Sequence, residues 1–144
     1  MYIILFSLIF LINIIICQDS IGGMPYAKQN KIKLNNNLIN MPILDVEKLL
    51  NEDENRLPAT PFRYGHKFNV QFNLQNSGEW KLLENGDRLW TLSIKSEDAK
   101  AISIEYDNFM LPDGSSFFVY NENKILGAYT KNNNQPDMLF STPL

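Results

Sequence analysis

The chain has 144 residues and a mass of 16.6 kDa, room for one domain of ordinary size. Hydrophobic residues make up 44% and charged residues 20%, which are globular values, and the net charge of −3 argues against a nucleic-acid binder, which would carry a basic surplus or stripe. One cysteine and one histidine exclude a disulfide framework, a multi-cysteine zinc site and a multi-histidine metal centre, so no cofactor is expected. Asparagine is abundant, at 18 residues, and is read as a bias of composition that carries no function.

Residues 3–16 are apolar except for Ser7 and Asn13, and the run stops at Cys17-Gln18-Asp19-Ser20. A membrane span needs ~20 apolar residues, so this length fits the hydrophobic core of a secretory signal peptide better, with cleavage after Cys17. An N-terminal anchor helix is the alternative. Acylation at Cys17 is another, although the site wants a small residue before the cysteine and Ile16 is not small. The expectation is an exported protein, secreted or at the cell surface, that meets a membrane only through this segment.

Residues 18–57 form a polar lead-in and one short helix. Residues 19–40 are rich in Asn, Lys and Gly and order only against something else. Asp45 is an N-cap, Val46, Leu49 and Leu50 share a helical face, and Lys48 is placed to pair with Glu52, so a helix is expected over residues 45–55. The acidic cluster at residues 52–54 is a solvated helix end, because it lacks the ligand spacing of a calcium loop. Pro58 and Pro61 then break the chain.

Residues 58–144 read as strand and turn. Phe68, Val70, Phe72 and Leu74 alternate with polar residues, the mark of a strand with one buried face. Asn76-Ser77-Gly78 is a turn, and Trp80, Leu82 and Leu83 lead to Asn85-Gly86, a hairpin signal of type I′ in which Gly86 takes positive φ. The return strand covers residues 89–95. Ile102, Ile104 and Tyr106 alternate in the next strand, and Leu111-Pro112-Asp113-Gly114 is a turn. Two further strands are expected at 117–120 and 125–130, then a polar loop over 131–136 and the start of one more strand at 138–140.

Short strands at near-regular spacing, each with one apolar face, predict an all-β fold: an antiparallel β-sandwich of jelly-roll type over residues 58–144. Trp80, Trp90, Phe72, Phe109, Phe117 and Tyr120 are its expected core, each aromatic ring burying about 150–250 Å². The residues on which the fold should depend are Trp80, Gly86, Trp90, Phe109, Pro112, Gly114 and Tyr120.

Catalytic chemistry is not expected. A Ser/His/Asp triad would have to use His66, and the sequence holds no nucleophile-elbow signature; a turn accounts for Ser115 and Ser116 after Asp113-Gly114. Glu79, Glu105 and Asp107 have only their residue type to suggest paired-carboxylate hydrolysis. A sugar platform is the stronger competitor, with Tyr64, Tyr106, Phe118 and Tyr129 as candidate exposed rings.

Four stretches together resemble a known family. They are Gly78-Glu79-Trp80; Asn85-Gly86 with the Leu89-Trp90 strand ending Ile94-Lys95-Ser96; Ala99-Lys100-Ala101-Ile102-Ser103-Ile104-Glu105-Tyr106-Asp107-Asn108-Phe109-Met110-Leu111-Pro112-Asp113-Gly114; and Phe118-Val119-Tyr120 with Gly127-Ala128-Tyr129-Thr130. Over residues 58–144 their order and spacing are similar to the N-terminal pro-region of secreted bacterial trypsin-like serine peptidases related to lysyl endopeptidase. The resemblance implies a non-catalytic β-domain that precedes a protease domain of the same parent chain, the triad and specificity pocket belonging to that domain. It also implies that this chain is a fragment, the β-domain itself being cut short. A carbohydrate- or surface-binding module of a secreted protein is the second expectation, and an adhesion module the third.

Overall fold

A computed structural model describes residues 20–33 and 38–143. The expected signal segment and Cys17 lie outside the described residues. The chain divides into two compact units: an aromatic unit, Met1–Ile32 with Ser103–Leu144, and a middle unit, Lys33–Ile102.

The elements, in chain order, are α1 (Tyr26–Gln29), β1 (Leu38–Asn40), α2 (Val46–Glu54), β2 (Glu79–Leu82), β3 (Arg88–Thr91), β4 (Ser93–Lys95), β5 (Glu105–Tyr106), β6 (Phe117–Tyr120), β7 (Ile125–Tyr129), a 3-10 turn (Lys131–Asn133) and β8 (Phe140–Ser141). Among the described residues the strands join only in pairs: β1 with β4, β2 with β3, β5 with β8, and β6 with β7. The fold is therefore small and β-rich, and its sheets are two-stranded and unclosed. Three of the pairs are antiparallel; β1 and β4 are parallel, against the expectation of antiparallel pairing throughout.

The aromatic unit has the core. Phe109, Tyr129 and Phe140 are buried, with Tyr106, Leu111, Phe117 and Leu126 packed against them. Phe109 and Phe140 stack at 4.2 Å and 12°, Tyr129 meets Phe140 edge-on at 4.9 Å, and Tyr106 meets Phe117 edge-on at 5.6 Å. Offset stacks and edge contacts are the arrangements that the ring quadrupole favours. The alternation in residues 102–106 yields only two ladder residues. Ahead of them the backbone is carried by a side chain: the Thr142 hydroxyl accepts from the Ile104 N–H (3.0 Å), and the Thr142 N–H donates to the Ile104 carbonyl (3.0 Å).

The hairpin of β6 and β7 forms where expected. Asn121 makes its turn, since its Oδ1 accepts from the N–H groups of Asn123 and Lys124 at 2.8 Å each. A register shift at Phe117/Phe118 leaves Ala128 as the extra residue on β7. Its backbone groups are not wasted. Ile21 donates to the Ala128 carbonyl and Ala128 donates to the Gly22 carbonyl, both at 3.1 Å. The lead-in thus orders against β7, and farther along it Pro25 and Ala27 are buried.

Burial pushes the Tyr106 hydroxyl well above the usual phenol range, with Tyr129 adding to the effect, and burial also raises Tyr129 and Tyr120. A tyrosine whose pKa is higher folded than unfolded contributes its full stability below the unfolded value of about 10. That contribution is lost as pH rises toward the folded pKa. The chain is expected to lose stability from about pH 10 upward, and Tyr106→Phe to flatten that loss; urea midpoints compared at neutral and alkaline pH check it.

The middle unit is built differently: among its described residues none is buried. Its helix is as expected. Asp45 caps α2, its carboxylate accepting from the Lys48 N–H at 3.0 Å. The close ion pair of Glu52 is with Arg63, at 2.8 Å, and Lys48 adds a weaker attraction. The expected strand over residues 67–74 does not form, and among the described residues those positions carry no ladder. A turn of asparagines closes this segment. Asn73 Oδ1 accepts from the N–H groups of Gln75 and Asn76, and Asn76 returns with Oδ1 to the Asn73 N–H and Nδ2 to the Gln71 carbonyl.

The expected strand 89–95 splits at Leu92, because its two halves have different partners. β3 pairs with β2, and β4 pairs with β1 in a register that sets Ile94 beside Ile39. The β2–β3 connection also differs from a type I′ turn. The Gly86 N–H donates to the Leu83 carbonyl (3.0 Å), the Leu83 N–H to the Asp87 carbonyl (2.8 Å), and Gly86 alone has positive φ, at 88°. This is the three-residue loop, a turn followed by a left-handed glycine, and it needs no positive φ at Asn85.

Candidate functional site

Asn55 closes α2, Pro58 and Pro61 keep the chain from resuming a helix, and the chain turns so that Arg63 reaches α2. Its Nη2 lies 2.8 Å from Glu52 Oε2 and its Nε 3.2 Å from Asp53 Oδ1. The hydrogen bond from Arg63 holds the Glu52 carboxyl below the usual range, and the same bond raises Arg63. Both groups are well hydrated, so the pair adds little to stability. Beside it lies an open groove of about 480 Å³. Ile43, Leu44 and Leu49 form its apolar wall, and Asp45, Lys48, Glu52, Arg63 and His66 its polar rim. The His66 ring meets Phe68 edge-on at 4.9 Å.

This groove can hold a polar group against an apolar wall. Its lining has no hydroxyl or thiol, so a Ser–His or Cys–His relay cannot be assembled from it. Among the described residues no group of three or more His, Cys, Asp or Glu could hold a metal, and no helix is long and apolar enough to cross a membrane. The Ser115 hydroxyl donates to the Pro112 carbonyl at 2.7 Å, which closes the turn. Glu105 and Asp107 are exposed in the aromatic unit, while Glu79 belongs to β2 of the middle unit.

The residues singled out from the sequence fall in both units. Phe109, at 5% exposure, is the one member of the expected aromatic core that is buried. Phe72, Trp90, Phe117 and Tyr120 are half-buried, and Trp80 is 50% exposed. Trp80 faces Trp90 across β2 and β3, and each indole N–H is anchored at 2.9 Å, Trp80 on the Leu74 carbonyl and Trp90 on the Ser77 carbonyl. Two-stranded sheets have no second layer to cover such rings, which is why these indoles stay partly in water. Pro112 and Gly114 shape one turn, Gly86 another, and Tyr120 ends β6 opposite Ile125.

The four candidate sugar-stacking rings separate as well. Tyr129 is buried, Tyr106 packs in the core, Phe118 is half-buried, and Tyr64 alone is open, at 85% exposure. Tyr106 and Tyr129 cannot stack on a sugar, because their faces are already taken by Phe109, Phe117 and Phe140.

The residues missed from the sequence are the asparagines. Asn134 Oδ1 accepts from the Leu111 N–H and its Nδ2 donates to the Leu111 carbonyl, both at 2.9 Å, so one amide stands in for a strand neighbour. Asn133, at 5% exposure, accepts from the Thr130 N–H at 2.8 Å. The signal was there: asparagines clustered at predicted turns, where the amide mimics a backbone turn. No family model, curated protein or solved structure matches this chain.

Proposed function

We propose that the chain is a non-catalytic, exported β-rich domain that precedes a trypsin-like, lysyl endopeptidase-like protease domain of the same parent protein and assists or covers it. The observation that carries this is what becomes of the longest stretch of the resemblance. Phe109 enters the aromatic core, Leu111 is gripped by Asn134, and Pro112 accepts from both the Ser115 N–H and its hydroxyl. These residues serve the fold, as a domain that templates or shields a neighbour requires. Short unpaired edges in both units suit main-chain pairing with such a neighbour.

The coding sequence past Leu144 is expected to read into a domain with His, Asp and Ser at trypsin-like spacing. Refolding that domain with this chain added in trans is expected to raise the yield of active protease. A stop codon directly after Leu144, or equal yield and equal activity with and without the chain, overturns the proposal.

A carbohydrate- or surface-binding role is the second reading, favoured by the exposure of Tyr64 and of Phe62, at 82%. Sugar-array binding that is lost in Tyr64→Ala would support it.

A further inference from the structure

Residues 68–74 have the alternation of a strand and, among the described residues, lack a strand's partner. Phe68, Val70, Phe72 and Leu74 lie on one side of the pattern and Asn69, Gln71 and Asn73 on the other. No ladder forms over these residues, and among the described residues the backbone N–H groups of Phe68, Asn69, Val70, Gln71 and Phe72 make no hydrogen bond. Val70 and Leu74 are each 48% exposed. An apolar strand face with unmet donors tends to find another chain.

We infer that this segment pairs with the same segment of a second copy, antiparallel and in register about Gln71. Three observations select a second copy. First, the pattern is self-complementary about Gln71: Phe68 falls opposite Leu74, Val70 opposite Phe72, and Asn69 opposite Asn73. Every apolar residue then meets an apolar one and every amide an amide. Second, residues 68–78 contain no Asp, Glu, Lys or Arg, so a two-fold axis brings no like charges together. Third, only one edge is open. Asn76 already occupies the Gln71 carbonyl, and Asn73 is engaged through both its N–H and its carbonyl, to Asn76 and Ser77. In a strand these odd-numbered groups point one way and those of Phe68, Val70 and Phe72 the other. Over residues 68–72 the even edge is the one left, the Leu74 carbonyl being held by the Trp80 indole N–H, and centring on Gln71 makes Val70 and Phe72 the hydrogen-bonded pair on each side of the axis. A closed two-fold contact of this kind stops at two copies. It is independent of the proposed role beside a protease.

Sedimentation equilibrium of the full chain is expected to give twice the 16.6 kDa monomer mass, and Gln71→Lys, which sets two ammonium groups face to face at the axis, is expected to return the monomer. The Gln71 side chain holds nothing in the monomer, so Gln71→Lys should keep the wild-type circular dichroism and melting temperature at a concentration where both proteins are monomeric. Val70→Thr, which keeps shape and strand preference without adding charge, is expected to weaken the dimer less than Gln71→Lys. A wild-type chain that stays monomeric, a dimer that Gln71→Lys leaves intact, or open-ended growth beyond two copies overturns the inference.

Discussion

Phe109→Ala is expected to remove about 3–5 kcal/mol of stability, the usual cost of truncating a buried aromatic side chain. Phe109 stacks on Phe140 at 4.2 Å and touches Tyr106 and Phe117 at 5.6 Å each, so its loss opens a hole bounded by three rings. Rings are rigid and cannot collapse far into such a space, which puts the cost at the upper end. A domain of this size has about 5–15 kcal/mol in total, so the loss is a third or more of a typical stability and should move the urea midpoint far down. The same change at an exposed ring is the control. Phe62, with the Arg56 guanidinium 3.5 Å from its ring centre, should lose about 1 kcal/mol or less on replacement by Ala. Urea midpoints of the two variants, with near-ultraviolet circular dichroism as a probe of ring packing, decide the matter. Equal losses would mean that the ring cluster is not the core.

Gly127→Ala is expected to cost about 2–4 kcal/mol, the sum of strain and overpacking at a site that fits only glycine. Gly127 lies in β7 with φ of 114°, and a methyl group there would sit 2.5 Å from the Phe117 carbonyl oxygen and 3.1 Å from Phe118 Cδ1. The obstacle is backbone, so it cannot rotate away. Gly86 makes the comparison clean. It also has positive φ, at 88°, yet a Cβ there meets nothing within 4 Å. Gly86→Ala should therefore show the conformational term alone, about 1 kcal/mol. A difference of twofold or more between the two losses in urea is expected. Gly127→Ala should also loosen the Ile21 and Gly22 bonds to Ala128, which exchange of the two donor amides, Ile21 and Ala128, would report.

Local rules placed the helix and the turns. Asp45 caps α2 because a carboxylate at that position can reach the Lys48 N–H whatever the rest of the chain does. Pro112, Gly114 and Gly86 mark turns for the same reason: their backbone freedom or restriction acts within four residues. The hairpin of β6 and β7 belongs to this class too, since its strands are adjacent and Asn121 closes the loop from within it. Period-2 alternation over residues 68–74 is equally local. It states what the segment can do in a sheet and says nothing about whether a partner is present, so the strand expected there is an unpaired segment instead.

The candidate groove was legible only in fragments. Asp45 and Lys48 belong to the helix start, but Arg63 reaches Glu52 across eleven residues of chain, and no spacing rule links them. Asparagine abundance was visible and set aside, although Asn73, Asn76, Asn121 and Asn134 each bind backbone at a turn or beside one.

By itself, then, the amino-acid sequence determined the short-range features of this protein: its cap, its turns, its β-rich character and the alternation of its strands. Tertiary structure alone decided which aromatics are buried, how residues 89–95 divide between two partners, and that the lead-in ends on Ala128. The physical reason is range. Caps and turns are settled by hydrogen bonds between neighbours in the chain. Burial and strand pairing depend on residues tens of positions away, and any half-apolar strand can satisfy them with more than one partner.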